Sequence, residues 1–165
     1  MRWYVAQTKP RQEPLARENL LRQSYRVYLP RLKILKRLRR RQEIALEPLF
    51  PRYLFFQPCD TAHSIAPVRS TLGVTSVVRF GGVPAVLGED RLREIREFER
   101  SQNSAELTEL SDLQPGKTVM VTAGPLAGLQ GLVAMVSKQR VIVLMQLLGE
   151  DTRVGLAPGA LRPAI

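Results

Sequence analysis

The sequence predicts an α+β protein with a mixed domain over residues 1–100, a linker over 101–114 and a small β-barrel over 115–165. Strand-type and helix-type runs alternate through the first hundred residues. A polar segment without strong periodicity follows, which is typical of a linker. After it come only short β-type runs within about fifty residues, a spacing that indicates a small barrel.

The first domain is predicted to begin with a strand and a helix. Residues 2–8 combine aromatic and β-branched side chains, which favours a strand. Apolar residues at helical spacing then predict a helix over Pro10–Gln23. Pro10 and Pro14 fit only near the first turn of that helix.

A hairpin, two strands and a second helix complete the first domain. The β-rich stretch from Tyr25 to Glu47 is interrupted by the basic run Lys36–Arg41, which predicts a hairpin with a basic tip. The apolar run Tyr53–Phe56, bounded by prolines, predicts a buried strand, and residues 76–80 predict another. An apolar stripe predicts a helix from Glu89 to about Arg100.

Short β-type runs predict the strands of the second domain. They are Thr118–Thr122, Leu132–Val136, Val141–Leu148 and Arg153–Leu156.

The net positive charge of the chain lies entirely in the first domain. The 165 residues have a formal net charge of +10; residues 1–100 hold 20 Lys/Arg and 10 Asp/Glu, whereas 101–165 hold five of each. Cationic side chains release counterions from a nucleic-acid backbone, so this asymmetry predicts a nucleic-acid partner for the first domain. A basic surface that serves solubility is the alternative.

Several classes of protein are disfavoured by the composition. No apolar run approaches the roughly 20 residues that span a bilayer. One cysteine, Cys59, and one histidine, His63, fall short of a zinc ligand set. The sequence contains no Ser-His-Asp set and no Walker-type loop. We therefore expect a cytoplasmic, monomeric, non-enzymatic protein with no metal or other cofactor.

Two groups of motifs carry a family resemblance. Val119–Val133 contains Gly124, Gly128 and Gly131 in a strand–turn–strand unit, where glycine permits tight turns, and it resembles the KOW motif. Further motifs of the first domain are similar to the NusG N-terminal (NGN) domain: Trp3-Tyr4, Glu47–Pro51, Tyr53–Phe55, Ser70–Val74 and Val78–Gly81.

The resemblance covers nearly the whole chain and looks closest to the RfaH-type specialised paralogues of the NusG family. It implies an NGN domain with an antiparallel sheet flanked by helices and a KOW domain with an SH3-like barrel. It also implies a factor that binds the clamp helices of the largest RNA polymerase subunit. The implied polymerase-binding residues are Tyr53, Phe55, Phe56 and Phe80. Consecutive aromatic residues in a strand are more often core than interface, which is the alternative for this patch.

The resemblance also implies contact with the non-template DNA strand. Positions that match the base-reading surface of RfaH-type factors hold Lys9, Gln12, Asn19, Gln23 and Thr71. Amide side chains can hydrogen-bond to base edges, whereas lysine and arginine mainly attract phosphate. Leu72 departs from the arginine that follows the threonine in that branch. Phosphate attraction is assigned to the basic tip, with Arg37, Arg39 and Arg40 as DNA-binding residues.

The second domain has an alternative fold in the RfaH branch, a helical hairpin packed on the first domain. Glu47 and Arg140 match the inter-domain ion pair of that closed state. Gly128 and Gly131 oppose a helix, as does the β-branched run Val141–Val143, which favours strands.

The sequence thus predicts a transcription elongation and antitermination factor that reduces pausing at selected operons and couples transcription to translation. The KOW domain would recruit a small-subunit ribosomal protein or Rho. Two alternatives remain open: a general NusG that couples to Rho, and a ribosomal RNA-binding KOW protein, which the neutral second half disfavours.

Overall fold

The computed structural model describes residues 2–103 and 136–149. A five-stranded antiparallel sheet forms its centre. Strand β1 (Trp3–Thr8) lies between β5 (Tyr53–Gln57) and β6 (Val74–Val77), β2 (Arg26–Tyr28) pairs with the outer side of β5, and β9 (Val86–Leu87) pairs with the start of β1. The predicted strands at residues 2–8 and Tyr53–Phe56 are confirmed.

Two hairpins extend from this sheet. The longer one, here called the ribbon, consists of β3 (Arg31–Leu38) and β4 (Arg41–Pro48), and its turn holds the predicted basic tip. The shorter hairpin joins β7 (Arg79–Phe80) to β8 (Val83–Pro84).

The predicted continuous strand over 76–80 is interrupted at Val78. The backbone N–H of Val78 donates to Val5 at 2.9 Å, and its carbonyl accepts from Ala85 at 2.9 Å. Since Val78 therefore bridges β1 and the segment after β8, the chain changes pairing partner there and the strand divides into β6 and β7.

Within the described residues, three helices and a 3₁₀ turn pack on the sheet. Helix α1 spans Glu13–Arg22, so it begins three residues after the predicted start at Pro10, while Pro14 lies in its first turn as predicted. A 3₁₀ turn spans Ala66–Ser70, and α2 spans Glu89–Asn103, three residues beyond the predicted end. The side chain of Asn103 explains this extension, because it accepts a hydrogen bond from the Lys33 amide at 2.9 Å and thereby ties α2 to the ribbon.

The third helix, α3 (Ser137–Leu147), corrects a prediction of strand structure. The strand predicted at Val141–Leu148 is wrong, since these residues lie in α3 and its C-terminal turn. The β-branched run of α3 is held in a helix by tertiary packing, which overrides local strand preference. The predicted strands Thr118–Thr122 and Arg153–Leu156 and nearly all of Leu132–Val136 lie outside the described residues, as do the three motif glycines and positions 104–114 of the linker.

The two faces of the sheet carry separate hydrophobic clusters because side chains alternate along each strand. The front core is packed between the sheet, the ribbon, α2 and α3, and consists of Trp3, Val5, Leu32, Ile34, Leu49, Phe50, Phe55, Leu87, Leu92, Ile95, Val143 and Leu144. The back core lies under α1 and the 3₁₀ turn and consists of Ala6, Ala16, Leu20, Tyr25, Leu29, Leu54, Phe56, Val68, Val74 and Val77. Within the residues described, no helix is both long and apolar enough to cross a membrane.

Candidate functional site

Helix α3 covers an apolar surface of the first domain. Val143 and Leu144 are 1% and 0% exposed and belong to the same cluster as Leu32 and Phe55. Their spacing places them on one side of the helix, together with Leu147. The C-terminal segment therefore completes the front core and removes this apolar surface from solvent.

A shared carboxylate lies at the margin of this contact. Arg140 of α3 is buried, and burial lowers the pKa of its guanidinium, while the charge of Glu47 acts in the opposite direction. Glu47 also forms an ion pair with Lys36 on the ribbon, in which Nζ and Oε1 are 2.6 Å apart. The two residues of the predicted inter-domain pair thus lie within electrostatic range of each other, and Lys36 competes for the same carboxylate.

The four aromatic residues predicted to bind polymerase occupy different environments. Phe55 is fully buried in the front core, beneath α3, where its ring meets Phe50 edge-on at a centroid distance of 6.3 Å. Phe56 is fully buried in the back core, on the opposite face of the sheet. Tyr53 and Phe80 are half-buried. Tyr53 and Phe55 therefore belong to the side that α3 covers, and Phe56 does not.

Tyr53 has one polar contact at the edge of the front core. Its hydroxyl accepts a hydrogen bond from the Gln7 amide at 3.4 Å, and burial raises the pKa of that hydroxyl. A neutral, partly exposed phenol beside an apolar surface suits an interface that is partly wet.

Helix α1 and the 71–73 loop bring together the residues predicted to read DNA. Gln23 donates from its amide to the Thr71 hydroxyl at 2.8 Å, and Asn19 donates to the Leu72 carbonyl at 3.4 Å. The backbone N–H of Lys9 donates to the Gly73 carbonyl at 2.9 Å, while the Lys9 side chain is exposed. These contacts join Lys9, Asn19 and Gln23 to the 71–73 loop in one surface, which also exposes Leu72.

The hydrogen bonds within this surface limit which groups can meet a base. Thr71 is 7% exposed, and its hydroxyl both accepts from Gln23 and donates to the Pro67 carbonyl at 3.1 Å. Thr71 therefore positions Gln23, whose amide has a second contact at the Asn19 carbonyl. Gln12 is half-buried at the start of α1.

Gly73 sets the distance between the 71–73 loop and α1. Its φ of +93° lies in the left-handed region that favours glycine. A Cβ built on Gly73 would lie 2.8 Å from the backbone nitrogen of Ala16. Only glycine thus allows the loop to approach α1 closely enough for the contacts of Asn19 and Gln23.

The basic tip of the ribbon is exposed and strained. Arg37, Arg39 and Arg40 are all exposed, and Arg39 has a φ of +55°, a conformation that costs a non-glycine residue roughly 1–2 kcal/mol. Near the turn, Glu43 lies 3.9 Å from Arg41 in a loose ion pair. The tip can attract phosphate, but it holds no buried polar group that would read a base.

Comparisons with known proteins assign the chain to a family. Residues 1–96 match the family model described as transcription termination factor nusG, which is more than half of the chain. The chain belongs to the NusG family. Residues 115–146 match the KOW motif, a span that overlaps the first ten residues of α3. NusG-family proteins are transcription factors and not enzymes.

Similar individual proteins were also found. The chain is 26% identical over 164 residues to the transcription termination/antitermination protein NusG of Chlamydia pneumoniae, covering 93% of this chain and 89% of that protein. A solved structure described as domain interaction in Thermotoga maritima NusG is similar at 23% identity with a TM-score of 0.45, covering 74% of this chain and 66% of that one, just under two thirds.

The helical alternative predicted from the sequence placed Arg140 against Glu47, but it did not identify the packing of Val143 and Leu144 in the front core. The signal that could have found it is the combination of Arg140, Val143, Leu144 and Leu147 at helical spacing. That signal was masked by β-branched residues, which indicate a strand over the same positions.

Proposed function

We propose that this NusG-family chain is a transcription elongation and antitermination factor of the specialised, RfaH-like kind. Its first domain binds the clamp helices of the largest RNA polymerase subunit through the apolar surface around Tyr53 and Phe55, with Phe80 at its edge. Coverage of that surface by Val143 and Leu144 of α3 is the observation that carries the proposal. A surface large enough to bury part of a helix is large enough to bind a helix of a partner.

In this proposal α3 is a displaceable cover. While it is docked, polymerase and α3 compete for one surface, so the factor is held inactive until α3 leaves. The released segment then forms the barrel expected of a KOW domain. The attraction between Arg140 and Glu47 adjusts this equilibrium, because Lys36 competes for the same carboxylate.

DNA recognition in this proposal rests on α1 and the 71–73 loop. Gln12, Asn19 and Gln23 present amides to base edges of the non-template strand, and Lys9 supplies a cation beside them. Asn19 and Gln23 act through their amide oxygens, because each side-chain nitrogen already donates two hydrogen bonds within the protein. Thr71 acts by holding Gln23, with which it shares a 2.8 Å hydrogen bond. The exposed arginines of the tip, Arg37, Arg39 and Arg40, add affinity for phosphate without reading sequence.

The second candidate is a general NusG that acts on all templates and couples to Rho. The curated relative from Chlamydia pneumoniae, described as a termination/antitermination protein, favours this alternative. In the specialised role, the released KOW domain recruits a small-subunit ribosomal protein instead and so couples transcription to translation.

A pausing assay on purified RNA polymerase separates these two functions. The full chain is added to elongation complexes on templates that differ only in the non-template sequence exposed in the bubble. We expect reduced pausing on a subset of sequences, and Gln23→Ala should abolish that preference. Equal effects on every template would favour the general factor, and no effect on any template would contradict both.

An NMR comparison tests whether α3 changes from a helix to β-structure when the chain binds polymerase. Spectra of the full chain are recorded alone and with saturating polymerase clamp-helix peptide. Helical shifts at 137–147 in the free chain that become β-type on binding would support displacement and refolding. Identical shifts in both states would contradict it.

A further inference from the structure

A basic groove runs along the free edge of the central sheet. It has a volume of about 670 Å³, within the range of roughly 300–1,000 Å³ that is usual for ligand sites. One wall is the 3₁₀ turn and the other is β6 with the start of β7. The groove is lined by Ile65, Ala66, Arg69, Ser70, Thr75, Ser76, Val77 and Arg79.

The lining of this groove is chemically suited to an anion. Arg69 and Arg79 are both exposed and supply two cations, and Ser70, Thr75 and Ser76 supply hydroxyls. None of the described residues that line the groove is acidic. By contrast, the groove at the ribbon tip contains Glu43 among its arginines. Guanidinium groups beside hydroxyls form the usual surroundings of a phosphate oxygen.

The scaffold of the groove is rigid. Val68 is fully buried in the back core and anchors the 3₁₀ turn. Arg79 is held at the other wall by a hydrogen bond of 3.2 Å from its guanidinium to the Gly82 carbonyl. The buried Val68 thus positions the turn that carries Arg69, and the contact with Gly82 positions Arg79 on the short β7–β8 hairpin.

The position of the groove indicates which anion it takes. Ser70 is followed directly by Thr71, so the groove begins where the polar surface of α1 and the 71–73 loop ends. A single strand whose bases meet α1 must continue past one end of that surface. The groove offers cations for the backbone at this end.

We propose that this groove binds the phosphodiester backbone of the strand whose bases are read by α1 and the 71–73 loop, an inference that rests on the proposed function. Arg69 and Arg79 each contact a phosphate. Apolar Ile65 and Ala66 pack against sugars. The groove thus sets the register of the strand, while the amides of α1 supply selectivity.

The geometry of β6 disfavours a peptide in the same groove. A peptide would bind a sheet edge as an added strand, which needs a regular row of free backbone groups. The pairing of β6 with β1 shifts register between Gln7 and Thr8, leaving Thr75 outside the regular register. The 3₁₀ turn also packs against β6, which leaves little room for a full strand.

Binding of the full chain to a labelled single-stranded oligonucleotide tests the groove without polymerase. The variant Arg69→Gln/Arg79→Gln should bind more weakly and should reduce the slope of log affinity against log salt by about 1.4, since each phosphate contact on a single strand contributes about 0.7. The lysine variant Arg69→Lys/Arg79→Lys should keep most of the slope, because it retains both charges.

A matched control removes two arginines far from the groove. Arg26 lies on β2, at the opposite end of the sheet from β6, and Arg100 lies on α2; both are exposed. Arg26→Gln/Arg100→Gln changes net charge equally and should leave the slope nearly unchanged. An equal decrease of the slope in both variants would show a general effect of charge and would overturn the groove proposal.

The outcomes separate this inference from the proposed function. If the groove variant binds oligonucleotide normally while the wild-type chain reduces pausing, the groove proposal fails and the function stands. If the slope changes but the wild-type chain has no effect on pausing, the groove stands as a site and the function fails. Loss of affinity only for polymerase free of nucleic acid would identify an acidic protein segment as the occupant and overturn the proposal.

Discussion

Helices α1 and α3 cover opposite faces of one sheet but are attached in different ways. A backbone hydrogen bond links the segment before α1 to the 71–73 loop, in which Lys9 donates to Gly73 at 2.9 Å. Among the described residues, no backbone hydrogen bond joins α3 to the first domain. Its attachment consists of side-chain packing and charge.

The side chains buried by the two helices differ as well. Leu20 of α1 and Leu144 of α3 are both fully buried. However, α3 also buries Gln146, which is 7% exposed and whose amide nitrogen and oxygen have no hydrogen-bond partner, whereas the buried Glu13 of α1 lacks a partner at one carboxylate oxygen. Burying an unsatisfied amide costs about 1–3 kcal/mol, so Gln146 weakens the docking of α3. In the proposed function, this cost favours the release of α3.

The largest effect is expected from a pair of leucine truncations, one in α1 and one in α3. Leu20→Ala and Leu144→Ala each remove a fully buried side chain, a change that costs about 2–5 kcal/mol. Leu20→Ala should lower the melting temperature of the whole first domain. Leu144→Ala should leave that melting nearly unchanged while it raises polymerase affinity at least tenfold. Equal losses of thermal stability in both variants would show that α3 is as permanent as α1.

A pair of glycine substitutions tests the close packing on the α1 side. Gly73 and Gly82 both have positive φ, +93° and +80°, but a Cβ on Gly82 meets nothing within 4 Å. Gly82→Ala should therefore cost only the strain of roughly 1–2 kcal/mol. Gly73→Ala should cost about 1–3 kcal/mol more because of overpacking against Ala16. Denaturant unfolding measures both; equal midpoints would remove the packing argument.

Replacing the buried amide of Gln146 with an apolar side chain should strengthen the docking of α3. Gln146→Leu keeps a similar volume and removes the unsatisfied groups, so the closed state should gain about 1–2 kcal/mol. Polymerase binding should weaken by roughly five- to thirtyfold. Gln146→Glu should have the opposite effect, because a buried charge favours opening. Polymerase affinities that do not move in opposite directions would contradict this prediction.

The smallest effect at neutral pH concerns two tyrosines, one in contact with each core. Burial raises the pKa of Tyr28 at the front core and of Tyr25 in the back core above the ordinary value near 10, and the Tyr28 hydroxyl also donates to Glu99 at 2.6 Å. Because the folded chain keeps these protons, stability is full below about pH 10 and falls as the pH rises above it.

Tyr28→Phe should therefore flatten the alkaline decline of the melting temperature more than Tyr25→Phe. Burial is the main cause of the raised pKa of Tyr28, and the hydrogen bond and charge of Glu99 raise it further. Thermal melts between pH 8 and pH 11, roughly the window set by the ordinary tyrosine pKa, measure the difference. Parallel declines in both variants would remove Tyr28 as the dominant group.

Local patterns were sufficient for much of the first domain. The ribbon, β1 and β5 follow from β-branched and aromatic runs, and α1 follows from its prolines and apolar spacing. The division of the 76–80 segment depends on Val78, whose two backbone bonds reach distant residues. Helix α3 likewise depends on the front core, since its own residues prefer strands.

The candidate site was predicted as a set of residues but not as an arrangement. Phe55 and Phe56 are neighbours in sequence, and alternation along a strand separates them onto opposite faces, but no local signal says which face is covered by α3. Thr71 was expected to read bases directly. Its burial beneath Gln23 depends on a contact between residues 48 positions apart.

The ribbon is a single paired element that connects the surface covered by α3 to the basic tip. At its base, Leu32, Ile34 and Leu49 lie in the core that α3 completes, and each strand is eight residues long, which corresponds to about 25 Å. A tilt of about 10° at the base would carry the tip through about 4 Å over that length. In the proposed function, departure of α3 removes packing from this base and re-aims the arginines, so that exposure of the proposed polymerase-binding surface also moves the phosphate-attracting tip.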